Sequence, residues 1–160
     1  MIIVSDTSPI SNLLVINQIS LLKEIFEVVI LPEAVMIELQ ASKSFNVSNF
    51  LASDWVKIEK LKDRTIFNQL RQDLDPGEAE AIALAQELNS GLLIDEKKGR
   101  KIAQDMGLKI TGIVGILITA KDLGLIPQIK PLLDDLQQKA GFYLSNPLRN
   151  HALMLAGEKP

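Results

Sequence analysis

The chain reads as an α/β domain of three layers (α/β/α), with helices on both faces of a central, mainly parallel twisted sheet. Three observations carry this reading. Short apolar runs such as Ile2-Ile3-Val4 and Leu92-Leu93-Ile94 lack the polar alternation of a half-exposed strand, so they suit strands buried on both faces. Longer segments of helical period separate such runs, the alternation expected of a parallel sheet. With 160 residues, 47% of them hydrophobic, the chain can bury one real core, and no repeat or low-complexity segment calls for a second domain.

The elements follow in order. The strand Ile2-Ile3-Val4 stops just before Asp6, and "SPISNLLVINQISLLKEIF" has apolar residues at helical spacing with a break near Asn17 to Ser20, which predicts two helices. "VVIL" is a short buried strand, and Pro32 opens a helix through "PEAVMIELQAS". "KSFNVSNFLASD" predicts a short helix, and "WVKIEKL" a strand whose alternation of apolar and charged residues places it at a sheet edge. A helical stretch around "RTIFNQLRQD" leads to "DPGEAEAIALAQELNSG", the clearest helix of the chain. Asp75 can N-cap it, Pro76 is its first residue, Glu78 is the capping-box partner and Gly91 follows its end. "LLI" is a second wholly apolar strand, and it too ends in an acid, Asp95. "EKKGRKIAQDMG" predicts a helix, "LKIT" a strand, and "GIVGILITAKDLGL" and "IPQIKPLLDDLQQKAG" two further helices. Residues 1–140 are expected to form the domain, and residues 141–160 a C-terminal extension with a last helix around "PLRNHALMLAG", packed on the domain or on a partner.

The chain has no cysteine, which excludes disulfides, thiolate metal sites and a cysteine nucleophile and fits a reducing cytoplasm. The N-terminal segment lacks a basic region, and no window approaches the roughly 18 apolar residues of a membrane span. A soluble, cytoplasmic protein without a membrane partner is expected. The net charge of −3 and a pI near 5.2 argue against a general nucleic-acid coat. They leave room for a local basic patch, and Lys97, Lys98, Arg100, Lys101 and Lys109 outnumber the one acid, Asp105, among residues 97–109. The plainer reading of that run is a solvated helix flank.

Asp6 and Asp95 each close an apolar strand, and the carboxyl ends of parallel strands are where open α/β sheets bind ligands. Carboxylates gathered there attract hard, oxygen-preferring cations such as Mg2+ or Mn2+; without one they repel and raise each other's pKa. Glu78, in the first turn of its helix, and Glu38, late in the helix after the second strand, can reach the same edge. Each acid also has a plainer role: Asp6 and Asp95 as N-caps, Glu78 as half of a capping box, Glu38 and Glu96 as surface residues. Thr7 and Ser8, with Asn12 one turn on, can hydrogen-bond a phosphate or simply cap the first helix, and Thr111 has the same two roles at the end of "LKIT". His151, the only histidine, lies away from every motif, and Trp55 and Tyr143 read as packing residues rather than base-stacking platforms.

The succession "VSDTSPISNLL", "LPEAVMIELQ" and "LDPGEAEAIALAQELNSGLLIDEKKGRKIAQDMGLKITGIVGIL" resembles the PIN domain family, in particular its VapC-type toxin ribonuclease branch, from residue 2 to about residue 135. The resemblance implies a metal-dependent endoribonuclease acting on single-stranded RNA. Its acids would be Asp6, Glu38, Glu78 and Asp95, holding Mg2+ or Mn2+ so that water is activated and charge on the scissile phosphate stabilised. The family more often has aspartate at the third position. Glu80 follows Glu78 by two residues, the two face different directions on a helix, and the choice between them stays open. Lys97, Lys98, Arg100 and Lys101, directly after Asp95, would steer the RNA backbone, with Thr7, Ser8, Asn12 and Thr111 as further contacts. The resemblance also implies a homodimer built on apolar residues of the early helices, and a small antitoxin covering the cleft. Two other readings compete. One is a catalytically weak PIN-fold RNA-binding or scaffold protein. The other is a receiver-like phosphoryl-transfer domain using Asp6, for which "SDTSP" supplies one acid where a pair is wanted.

Overall fold

In a computed structural model, which describes residues 1–42 and 46–160, β1 (Ile2–Ser5), β2 (Val28–Pro32), β3 (Val56–Glu59), β4 (Gly91–Leu93) and β5 (Ile110–Thr111) form one sheet in the order β3-β2-β1-β4-β5. Every pairing is parallel. β1 lies in the middle, with Ile2 opposite Val28 of β2 and Ile3 opposite Gly91 of β4. The Asp6 amide extends that ladder to the Leu93 carbonyl at 2.9 Å. The ends of the two acid-terminated strands are therefore neighbours, and β3 takes the edge that its alternating pattern predicts.

The helices are α1 (Thr7–Val15), α2 (Ser20–Ile25), α3 (Glu33–Ala41), α4 (Val47–Leu51), α5 (Thr65–Leu70), α6 (Pro76–Leu88), α7 (Lys97–Asp105), α8 (Ile113–Asp122), α9 (Lys130–Lys139) and α10 (Asn146–Leu155). Asn17, at φ 58°, makes the break between α1 and α2, a left-handed conformation that asparagine tolerates. The start of the short helix expected over "KSFNVSNFLASD" falls on residues 43–45, outside the described residues. Asn89, at φ 51°, terminates α6, and Gly91 opens β4 instead. α9 begins at Lys130 rather than near residue 126, with Pro131 in its first turn, where its missing amide costs nothing.

Both faces of the sheet are covered around its inner strands β1, β2 and β4, which suits their continuously apolar runs. Ile3, Val29, Leu31 and Leu93 face a core completed by α1, α2, α3, α4, α8, α9 and α10. Val4, Ile30, Leu92 and Ile94 face a second core beneath α6 and α7. The small Ala79, Ala81, Ala83 and Ala85 bring α6 close to its surroundings. Residues Ala152, Leu153 and Ala156 join the first core. Arg149 adds hydrogen bonds to Asp134 (2.6 Å) and Gln137 (2.8 Å). Glu158 accepts from the Ile129 amide (2.7 Å), the Lys130 amide (3.1 Å) and Lys121 Nζ (3.0 Å). Trp55 packs edge-on against Phe50, with centroids 5.5 Å apart. Tyr143 does not pack: it is 86% exposed, because the loop before α10 leaves its ring in solvent. Among the described residues no helix is long and apolar enough to cross a membrane.

Candidate active site

A parallel sheet delivers all its strand ends, and the N-termini of the helices that follow, to one edge. Helix N-termini carry partial positive charge, which makes that edge tolerant of acids. Asp6 occupies the N-cap position of α1 but makes no capping hydrogen bond. It is 5% exposed. Burial pushes its carboxyl up to about 7; an amide hydrogen bond from Thr7 opposes the rise, and the charges of Asp75, Glu38 and Asp95 add to it.

Asp95 does not cap the helix that follows it. That is done by Glu96, which accepts from the Gly99 amide at 2.9 Å. Asp95 instead reaches across to α8, where Oδ1 accepts from the Ile113 amide at 3.0 Å, while Oδ2 is buried without a hydrogen-bond partner. Burial raises its pKa, against the Ile113 amide and the Arg100 charge.

Asp75 caps α6 by accepting from the Glu78 amide at 2.8 Å. The Glu78 side chain turns toward the acids, and its Oε2 is buried without a partner. Burial, a hydrogen bond shared with Asp75, and the charges of Asp75, Asp6 and Glu96 push its carboxyl up to about 9. Glu38, on the exposed side of α3, adds its charge to Asp6. Glu80 is engaged elsewhere: 8% exposed, it accepts from the Ala34 amide at 2.9 Å and from Arg64 at 3.2 Å, fastening the start of α3 to α6.

Thr7 Oγ1 is a third buried, unpartnered oxygen. Ser8 is exposed and Asn12 half-buried. Gly112, not Thr111, occupies the N-cap of α8; Thr111 Oγ1 donates to the Gly112 carbonyl at 3.4 Å. The basic stretch is not uniform. Lys97 and Lys98 are exposed at the start of α7, with Lys98 3.8 Å from Asp73. Lys101 pairs with Asp105 at 3.5 Å. Arg100 Nη1 donates to the Ile94 carbonyl at 2.7 Å. Lys109 precedes β5, at the amino edge of the sheet beside Met1 and Gly91, away from the acids. His151 is exposed on α10.

Sequence reasoning passed over two further acids, Asp75 and Glu96, and three glycines. Asp75 was hidden by its local role as a cap, and Glu96, which read as a surface residue, takes the cap expected of Asp95. Gly77, Gly99 and Gly112 each face one of the acids. A Cβ at Gly77 would collide with the Glu38 carboxylate, one at Gly99 would stand 3.1 Å from Glu78 Oε2, and one at Gly112 would stand 2.5 Å from Asp95 Oδ1.

A family model for a PIN domain matches residues 2–158. The chain belongs to the PIN domain family. Among solved structures, this PIN domain is similar to a PilT N-terminus domain protein from the hyperthermophilic archaeon Sulfolobus solfataricus P2. The TM-score is 0.60 at 19% identity, over 75% of this chain and 93% of that one, a likeness of fold. No curated protein matches the chain. PIN domains are typically metal-dependent nucleases. In this PIN domain no three Asp, Glu or His side chains among the described residues are already drawn into a ligand cage. The donor chemistry nonetheless fits a hard divalent cation. Every candidate donor is oxygen, and Glu78 Oε2 and Asp95 Oδ2 are buried with hydrogen-bonding capacity unused.

Proposed function

We propose that this PIN domain is a metal-dependent endoribonuclease that hydrolyses phosphodiester bonds of single-stranded RNA, with Asp6, Glu38, Glu78 and Asp95 holding Mg2+ or Mn2+. One observation carries the reading. Carboxylates from four separate elements act on one another at the carboxyl edge of the sheet, and two of them keep a buried oxygen without a partner. When bound, the cation supplies the Lewis-acid chemistry that phosphodiester hydrolysis requires. The chain supplies the rest. Thr7 Oγ1 offers a hydroxyl to the phosphate, with Ser8, Asn12 and Thr111 near the same edge. The N-termini of α1, α6, α7 and α8 favour an anion there. Lys97 and Lys98 attract the RNA backbone in a salt-sensitive manner.

The likeness to VapC-type toxins supports a finer proposal, that the nuclease is the toxin of a toxin-antitoxin pair and acts as a homodimer in the cytoplasm. Val15 of α1, 41% exposed, and Ile37 of α3, 59% exposed, give such a dimer apolar surface to cover. The longer Glu78, where the family more often has aspartate, favours the second reading, a catalytically weak RNA-binding protein.

The test is cleavage of a mixed-sequence single-stranded RNA with Mn2+ or Mg2+, beside Asp6→Asn and an EDTA control. The expected result is cleavage that EDTA abolishes and Asp6→Asn lowers by about two orders of magnitude or more. Cleavage that survives both controls sinks the proposal. Metal binding without cleavage moves the RNA-binding reading ahead.

A further inference from the structure

A metal site needs its acids aimed as well as gathered, and Asp95 is aimed from two sides. On one side Oδ1 is fixed by the Ile113 amide at 3.0 Å. On the other stands Arg100, half-buried in the first turns of α7. Its Nη1 donates to the Ile94 carbonyl at 2.7 Å, the peptide group immediately before Asp95. The same Ile94 is held on its amide side by the Thr111 carbonyl at 2.9 Å, so strand β5 and Arg100 together fix the corner from which the Asp95 side chain leaves. Gly112 closes the packing. A Cβ there would stand 2.5 Å from Asp95 Oδ1 and 2.8 Å from Arg100 Nη1, so guanidinium, carboxylate and bare backbone meet at one point.

We infer that Arg100 is a positioning residue and not a phosphate contact: it clamps the β4–α7 corner so that Asp95 keeps Oδ1 on α8 and presents Oδ2 to the cation. The inference rests on the metal-dependent reading above. It divides the basic stretch into two jobs, with Lys97 and Lys98 facing RNA and Arg100 facing inward. Groups that orient a metal ligand typically contribute 10- to 100-fold to metal affinity.

The experiment is calorimetric titration of Mn2+ into RNA-free protein for the wild type, Arg100→Gln, Arg100→Lys and the Lys97→Ala/Lys98→Ala double variant, with RNA affinity measured separately across a salt series. Arg100→Gln is expected to weaken Mn2+ binding about 10-fold or more. By charge alone, removing a cation next to the site would tighten Mn2+ instead, so the sign of the change separates positioning from electrostatics. The double lysine variant is expected to bind Mn2+ as the wild type does and to bind RNA more weakly, with a shallower salt slope. Arg100→Gln that binds Mn2+ as tightly as the wild type, or more tightly, overturns the inference. Should that variant fail to fold, Arg100→Lys decides, because it keeps the charge without the planar fork: weaker Mn2+ binding supports positioning, and unchanged binding overturns it. A wild type that binds no Mn2+ overturns the metal reading itself, an outcome distinct from a wild type that binds and a variant that matches it.

Discussion

Glu78 and Glu80 lie two residues apart on one helix and have opposite surroundings. Glu80 is tied to the Ala34 amide and to Arg64, whereas Glu78 presents a buried, unpartnered oxygen toward the other acids. Glu80→Ala is expected to cost about 2–3 kcal/mol in denaturant unfolding, since it strips partners from a backbone amide and a guanidinium, and to leave Mn2+ binding in place. Glu78→Gln is expected to do the reverse, removing Mn2+ binding without loss of metal-free stability. The sequence left this pair open for a physical reason. Helical spacing says that the two side chains diverge, but the groups that decide their roles come from Ala34 and Arg64 on other elements. The raised carboxyls of Asp6 and Glu78 also make stability depend on pH. A folded-state pKa above the unfolded one means that the native state binds the extra proton, so stability is greatest below the unfolded value and falls as pH rises through the folded one. With Asp6 at about 7 and Glu78 at about 9, the metal-free melting temperature should decline from near pH 5 to pH 9. Asp6→Asn should flatten the lower part of that decline, and Mn2+ should raise the melting temperature more at pH 8 than at pH 5. A metal-free profile that rises over this range contradicts the shifts.

At the level of the element, the strands and the acids that follow them were the legible part. An unbroken apolar run with an aspartate just beyond it marks both Asp6 and Asp95, and the fold places β1 and β4 side by side. The helix starts were half legible. Asp75 was recognisable as a cap, whereas Glu96 read as a surface residue beside Asp95, the expected cap; a cap pattern cannot show that such carboxylates also face a cluster built from distant segments. The glycines were not legible, because a glycine early in a helix has no local signature. Gly77 weakens α6 by about 0.5–1 kcal/mol relative to alanine, a cost the helix alone does not explain. The Glu38 carboxylate against it does. Because that carboxylate is the free end of an exposed side chain, Gly77→Ala should give a protein at least as stable as the wild type in thermal melts, and one that cuts RNA about 10-fold more slowly. Wild-type cleavage by that variant would show that the position of Glu38 does not matter.

For the molecule as a whole, the three-layer architecture followed from composition and pattern, while the fastening of the C-terminal segment did not. Glu158 lies 37 positions from Lys121, 29 from Ile129 and 28 from Lys130, the residues that donate hydrogen bonds to it, and none of them belongs to a recognisable acid-binding motif. Glu158→Ala should lower the melting temperature by about 3–8 °C, with RNA cleavage at low temperature retained, and an unchanged melt would show the clasp to be idle. The central place of β1 has a consequence in time. Its two neighbours are translated far apart, β2 from residue 28 and β4 from residue 91, so a growing chain holds one side of β1 open while most of the first hundred residues emerge. Asp95 and the helix that anchors it through Ile113 arrive later still. A ribosome engaged on this message thus carries an acidic edge that stays unfinished until the final third of the chain has been made; on the proposed ribonuclease reading, the transcript being read is out of reach of its own product until then.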